Sequence, residues 1–266
     1  MKKLILRGYK IISMPLWRAL ARVSSRIAYF MHYQLFLSEW SVDNPEYFNH
    51  DIDLYCLWEK ERRAYWLERG IYNILALQIF AHPVVVELCC GEGFNTKYFY
   101  SKVADRVWAC DFDKKAIHSA KRKYAEDNIE FEVADIRQDI PKELEWGETI
   151  TNVIWDAAIE HFTPDEIRAI MSKIKLTLST KKGILSGYTI VEREKKSLEQ
   201  HEYEFKNKDD LKRFLTPYFE NVVVFETIYD DRHNLYFWAS DGDIPFSKSW
   251  RHWTKQENGA FLLSNK

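Results

Sequence analysis

Apolar and polar positions along this chain fall into three successive regimes. In the first, Leu16, Leu20, Val23, Ile27 and Met31 recur at helical spacing, and Arg18, Arg22 and Arg26 fall on the other side. That pattern predicts an amphipathic helix with Pro15 in its first turn. Leu4, Ile5, Leu6, Tyr9, Ile11, Ile12 and Trp17 add apolar and aromatic surface around its start. The stretch 51–77 predicts one or two further helices, with Leu54, Leu57, Trp58, Tyr65, Trp66 and Leu67 as apolar positions. Gly70 marks a break or a close approach there.

The second regime begins near residue 81. Val84-Val85-Val86-Glu87-Leu88 is almost continuously apolar, as a strand covered on both faces should be. A glycine turn, Gly91-Glu92-Gly93-Phe94-Asn95-Thr96, leads into a helix ending near Val103. Strands are predicted at 106–110, 129–134, 152–156 and 183–191, with helices at 114–125, 163–178 and 208–215. Thr163, Pro164 and Glu166 form a capping-box signature at the start of the 163–178 helix. Strands at 222–228 and 235–239 close the region. Their connection is too short for a parallel crossover, so they must be antiparallel. Alternating strands and helices predict an α/β, doubly wound, Rossmann-like and mostly parallel sheet with an antiparallel closing strand, carrying an N-terminal helical extension. The third regime, 246–266, is a polar tail containing Trp250 and Trp253. The expected domains are 1–80, a helical extension or lid; 81–245, the catalytic domain; and 246–266, the tail.

Composition narrows the functional classes. The chain has 266 residues, 46% hydrophobic, with Phe 16, Tyr 15 and Trp 10. That is enough to build a core and excludes a disordered chain. No apolar run reaches the ~20 residues of a membrane-spanning helix. Net charge is −2, unevenly spread. Residues 1–38 carry seven basic residues and no acid, while the remainder carries 31 basic and 40 acidic residues. An acidic body is a poor nucleic-acid binder, so no nucleic-acid partner is expected. The basic, aromatic-rich residues 1–37 instead suit an anionic membrane surface, or packing on their own domain or a partner subunit with the basic face solvated. Cys56, Cys89, Cys90 and Cys110 form no CxxC and fit reduced thiols in a cytoplasmic protein. No metal-ligand spacing appears, so no metal site is expected.

Strand, glycine turn and helix together make a nucleotide site: the glycines admit a ligand close to backbone, and the helix start offers N–H donors. Asp111 ends the second strand, 20 residues after Gly91. A carboxylate there can accept both hydrogen bonds of a ribose diol. NAD and S-adenosylmethionine both suit this arrangement. A pyrophosphate favours a third small residue, but Thr96 stands at that place. Glu87, at the end of the first strand, would repel a pyrophosphate and attract the ammonium of a methionine moiety. The antiparallel closing pair is also unexpected for a dinucleotide fold. These differences favour S-adenosylmethionine.

Residues 84–240 resemble the class I S-adenosylmethionine-dependent methyltransferases, small-molecule or glycan branch. VVVELCCGEGFNT is similar to that family's first motif, with Cys89 and Asn95 where two of its glycines usually lie and with Glu87, Gly91 and Gly93 retained. VWACDFDKKAI resembles the second, which implies Asp111 at the ribose and Phe112 beside the adenine. VADIRQDIP resembles the third, implying Asp135, with adjacent Ile136, at the adenine amino group. WDAAIEHF resembles the motif after the fourth strand. The resemblance implies the fold, the cofactor and methyl transfer, but not the acceptor.

A hydroxyl acceptor requires a base, and a histidine above the strand ends suits that work. His161 and His201 are the candidates, with Asp156 as an alternative base or acceptor-orienting acid. His118 and His233 are more distant. Glu204 can orient an imidazole. Arg62 and Arg63 are placed to cover the cofactor. The expectation is O-methylation of a small-molecule or glycan hydroxyl by a cytoplasmic enzyme, with a lipid-linked acceptor at the inner face of a membrane as its more specific form. The alternatives are a non-catalytic scaffold retaining the fold, and a protein methyltransferase.

Overall fold

The computed structural model describes residues 2–39, 65–178, 180–192, 200–228, 232–245, 253–255 and 261–263. Two compact units divide between Trp66 and Leu67, earlier in the chain than the composition shift near residue 80. In the first unit, α1 (Lys2–Glu39) is one continuous helix, longer than its amphipathic repeat suggested, and Pro15 lies inside it. The interior proline forfeits one backbone hydrogen bond, yet good helix formers on both sides carry the helix through.

In the second unit, α2 (Tyr65–Leu77) is followed by β1 (Val84–Leu88), α3 (Phe94–Tyr98), β2 (Arg106–Asp111), α4 (Lys114–Tyr124), β3 (Ile129–Val133) and β4 (Asn152–Asp156). Then come α5 (Pro164–Thr177), β5 (Ile184–Ile190), α6 (Lys208–Leu215), β6 (Asn221–Ile228) and β7 (His233–Ser240). The polar tail contributes two short strands, β8 (Trp253–Lys255) and β9 (Phe261–Leu263), which extend the sheet and were not evident from the sequence. Sheet order is β3-β2-β1-β4-β5-β7-β6-β8-β9. The first five strands run parallel, and β7 lies antiparallel to both β5 and β6.

Successive residues of a strand face opposite sides of a sheet, and the core divides accordingly. Val84, Val86 and Leu88 of β1 join Ile167, Ile170, Met171 and Ile174 of α5 in one cluster. Val85 joins Ile117 and Ala120 of α4 and Leu77 of α2 in another. A third cluster packs Tyr72 and Ala76 of α2 against Tyr188, Tyr236 and Trp238. Helix α5 opens with the complete capping box, in which Thr163 N donates to Glu166 Oε2 at 2.9 Å. Gly70 does not break α2; it lets the ring of Phe99 pack on the helix, where a Cβ would lie 2.2 Å from ring carbon. Arg62, Arg63, Cys56 and Trp250 lie outside the described residues.

Candidate active site

The chain runs from β1 outward to β2 and β3, then returns to place β4 on the other side of β1. The sheet order therefore reverses beside β1, and ligands of open α/β sheets bind outside the strand carboxyl ends at that point. Three acids stand there on three adjacent strands: Asp111 ends β2, Glu87 lies near the end of β1, and Asp156 ends β4. All three are buried.

The turn after β1 is strained. Cys89 (φ 58°), Gly91 (φ 55°) and Gly93 (φ 82°) all take left-handed backbone conformations. Glycine adopts these freely, whereas a side-chain-bearing residue pays for them. Cys89 nonetheless keeps the conformation in place of the motif's glycine. At Gly93 a Cβ would also meet the Phe131 ring at 2.7 Å. Ala157, directly after Asp156, is a second strained position (φ 52°). Strain at the ends of both β1 and β4 thus borders the same cleft.

Each acid has a distinct environment. Asp111 accepts from the backbone N–H of Gly91 (Oδ2, 2.9 Å) and of Asp113 (Oδ1, 2.9 Å), so it ties the glycine turn to β2. Burial pushes its carboxyl up to about 6 despite those bonds. Glu87 accepts from the Thr96 hydroxyl at 2.5 Å. Its burial outweighs that bond, and its carboxyl is pushed up to about 8. Asp156 Oδ2 takes three donors: Arg69 Nη2 at 2.6 Å, Arg69 Nε at 3.0 Å and Asn95 Nδ2 at 3.0 Å. Its Oδ1 is buried, with no hydrogen-bond partner among the described residues. The guanidinium of Arg69 also stacks over Tyr188, 4.9 Å from the ring centre.

The methionine end of S-adenosylmethionine fits this cleft. An unpaired buried carboxylate oxygen is costly, and the cofactor's ammonium is a donor of the right charge. Glu87 offers a second acceptor, Asp111 stands where a ribose would lie, and the half-exposed ring of Phe112 offers a face to the adenine.

The comparisons with known proteins agree. The family described as a methyltransferase domain matches residues 85–181. That match covers about a third of the chain and marks what this segment is similar to. The methyltransferase fold extends beyond it. The N-methyltransferase NodS from Bradyrhizobium japonicum WM9, in complex with S-adenosyl-l-homocysteine, is 15% identical, with 79% of this chain and 98% of that chain covered and a TM-score of 0.53. Human N-acetylserotonin methyltransferase in complex with SAM is 14% identical, covering 65% of this chain and 52% of that one, with a TM-score of 0.50. At such identities the likeness establishes the fold. No curated protein matches the sequence.

Within this domain, the residues expected at the cofactor fall into two groups. Glu87, Gly91, Gly93, Asn95 and Asp111 surround the glycine turn as one connected set. Asp135 is instead held by Arg137, whose Nε and Nη2 donate to it at 2.9 and 2.8 Å, and the guanidinium keeps its carboxyl below the usual range. Ile136 is buried in the core beneath the cleft, leaving its backbone as the part that can line a site.

His161 Nδ1 bonds the Gln200 carbonyl at 2.8 Å and His201 Nδ1 bonds Glu204 Oε1 at 2.7 Å. The two imidazole rings meet edge to face, with centres 5.0 Å apart. His161 lies in the turn directly after β4, the strand that Asp156 ends. Asp156, the alternative base, is engaged by Arg69 and Asn95. His233 is bonded to Glu226 (3.0 Å), and His118 lies on α4.

Two features were missed in the sequence. Arg69 is a buried charge on α2, and the signal for it was present: positions 69, 72, 73 and 76 form one helical stripe, with Tyr72, Asn73 and Ala76 equally buried. The other is a potential ligand set. Although no metal spacing is visible in the chain, Glu160, His161 and His201 bring one donor atom each within 4.8 Å of one another.

Proposed function

We propose that this methyltransferase O-methylates a hydroxyl of a small-molecule or glycan acceptor presented at an anionic membrane surface on the cytoplasmic side. The observation that carries the acceptor chemistry is the pair of imidazoles, His161 and His201, beside the cofactor cleft. A hydroxyl must lose its proton as it attacks, and imidazole is the side chain best matched to receive it near neutral pH. The bound cofactor supplies an activated methyl group. The protein's part is alignment: Asp111 fixes the glycine turn, Glu87 and Asp156 receive the ammonium, and Arg69 anchors Asp156.

Support for the surface comes from α1. Leu16, Trp17, Leu20, Val23, Ile27, Phe30, Met31 and Leu35 are all exposed. Their helical positions form a stripe away from Arg18, Arg22 and Arg26, as in helices that lie in a lipid interface. Among the described residues no helix is long and apolar enough to cross a membrane.

The test has two arms. Labelled S-adenosylmethionine is incubated with hydroxylated and amino acceptor panels, with soluble and lipid-linked glycans included, and the methylated atom is located by NMR. Methyl ethers are expected, and exclusive N-methylation would overturn the acceptor class. Co-sedimentation with anionic and zwitterionic vesicles is expected to favour the anionic ones. Equal or no binding, or binding unchanged by deletion of residues 1–37, would overturn the membrane reading.

A further inference from the structure

We propose that Glu160, His161 and His201 form a binding site for a divalent transition-metal ion on the acceptor side of the cleft. The three donors come from two segments distant in sequence: the turn after β4 and the loop between β5 and α6. They are fastened together. The backbone carbonyl of Glu160 accepts from Glu202 N (2.9 Å) and Tyr203 N (3.1 Å), and His161 Nδ1 reaches back to the Gln200 carbonyl.

The protonation pattern suits a metal. A carbonyl oxygen can only accept, so His161 carries its proton on Nδ1 and presents the lone pair on Nε2. The Glu204 carboxylate fixes His201 in the same way. An imidazole backed by a carboxylate or carbonyl is the usual arrangement of a metal-bound histidine, because the partner sets both tautomer and ring orientation. Glu160 is buried, and its Oε2 is oriented by the Thr189 hydroxyl at 3.0 Å. A cation would offset the cost of keeping that carboxylate away from water.

Donors bound to one ion at about 2.0–2.2 Å lie roughly 3–4 Å apart. The 4.8 Å limit here therefore closes with side-chain adjustments of about 1 Å. Two nitrogens and one carboxylate favour a first-row transition ion over magnesium or calcium, which prefer all-oxygen sites. Three protein ligands also leave positions open for an acceptor oxygen.

The use of the site rests on the methyltransferase reading; binding of the ion does not. With the ion bound, both imidazoles are occupied as ligands and the ion replaces them in activating the acceptor: a hydroxyl on it would be acidified and lose its proton to water. Its oxygen forms the new O–CH3 bond as the C–S bond breaks, and that electron pair stays on sulfur, leaving a neutral thioether.

The test uses the full chain freed of metal by chelation. Cobalt(II) is titrated by its visible absorption, and manganese(II) and zinc(II) by calorimetry. About one equivalent is expected to bind saturably. His201→Ala and Glu160→Gln should weaken binding by tenfold or more, and Glu204→Gln by roughly 10–100-fold. Circular dichroism and S-adenosylhomocysteine binding, both expected to be unchanged, verify that each variant is folded. No saturable binding by folded wild-type protein, or binding that survives both His201→Ala and Glu160→Gln, would overturn the site. Metal binding without S-adenosylhomocysteine binding would leave the site standing and sink the methyltransferase role assigned to it.

Discussion

Replacing Arg69 by Met removes the guanidinium from Asp156 while keeping an apolar side chain of similar length. Both groups are buried, and they meet through two bonds of 2.6 and 3.0 Å. Breaking a buried ion pair from one side costs about 3–5 kcal/mol, because the surviving charge is left uncompensated. Asp156 would keep only the Asn95 amide of its three observed donors. Loss of the stack on Tyr188 adds about 1 kcal/mol. At ~2–4 °C per kcal/mol for a unit of this size, Tm should fall on the order of 10 °C. Neutralising the orphan with Asp156→Asn in the same chain should recover most of the ion-pair loss, because no buried charge then remains. The assay is urea unfolding of wild type, both single variants and the double variant at pH 7. An Arg69→Met variant within about 1 kcal/mol of wild type, or strictly additive single changes, would refute the assignment of this pair as the anchor of the cleft.

Gly93→Ala should destabilise by about 2–5 kcal/mol, combining left-handed strain with a Cβ driven into Phe131; thermal melts and S-adenosylhomocysteine calorimetry would show both losses, and a neutral result would contradict the turn geometry. Conversely, Ala157→Gly should stabilise by up to about 1 kcal/mol by relieving a positive φ, and so raise Tm; a clear drop would contradict the strain argument. Glu87 titrates near 8 in the folded protein and ordinarily near 4.5. The stability of the ligand-free protein contributed by this neutral, buried acid is thus present in full below about 4.5 and lost as pH rises through about 8. Binding a cationic ligand favours the ionised form, so at pH 6.5 S-adenosylhomocysteine should release about one proton, measurable from the buffer dependence of the binding enthalpy and abolished by Glu87→Gln. Thr163→Ala should cost about 1 kcal/mol in chemical denaturation through loss of the cap on α5, with no change in ligand affinity.

The central strands were legible because each is covered on both faces and so reads as an uninterrupted apolar run. The strand-end positions of Glu87, Asp111 and Asp156 were legible because each acid lies at or near the close of an apolar run. What could not be read directly was pairing across space. Glu160 and His161 are adjacent in the chain, but His201 joins them only through a loop hydrogen-bonded back to the β4 turn. Arg69 is visible in principle as a charge on a buried helical stripe, yet its partner is 87 residues away. The helix α1 continues through Pro15 because local propensity on both sides outweighs one lost backbone bond, and no periodicity rule announces that. Strands β8 and β9 are three residues each, too short to leave a pattern.

The most direct test of the cofactor cleft is calorimetric titration of the full chain with S-adenosylhomocysteine, alongside Asp111→Asn, with NAD as the competitor. Micromolar binding to wild type, lost or weakened at least tenfold in a folded Asp111→Asn variant and indifferent to NAD, is the predicted result. Binding that is absent from folded wild-type protein, or displaced by NAD, would contradict the account.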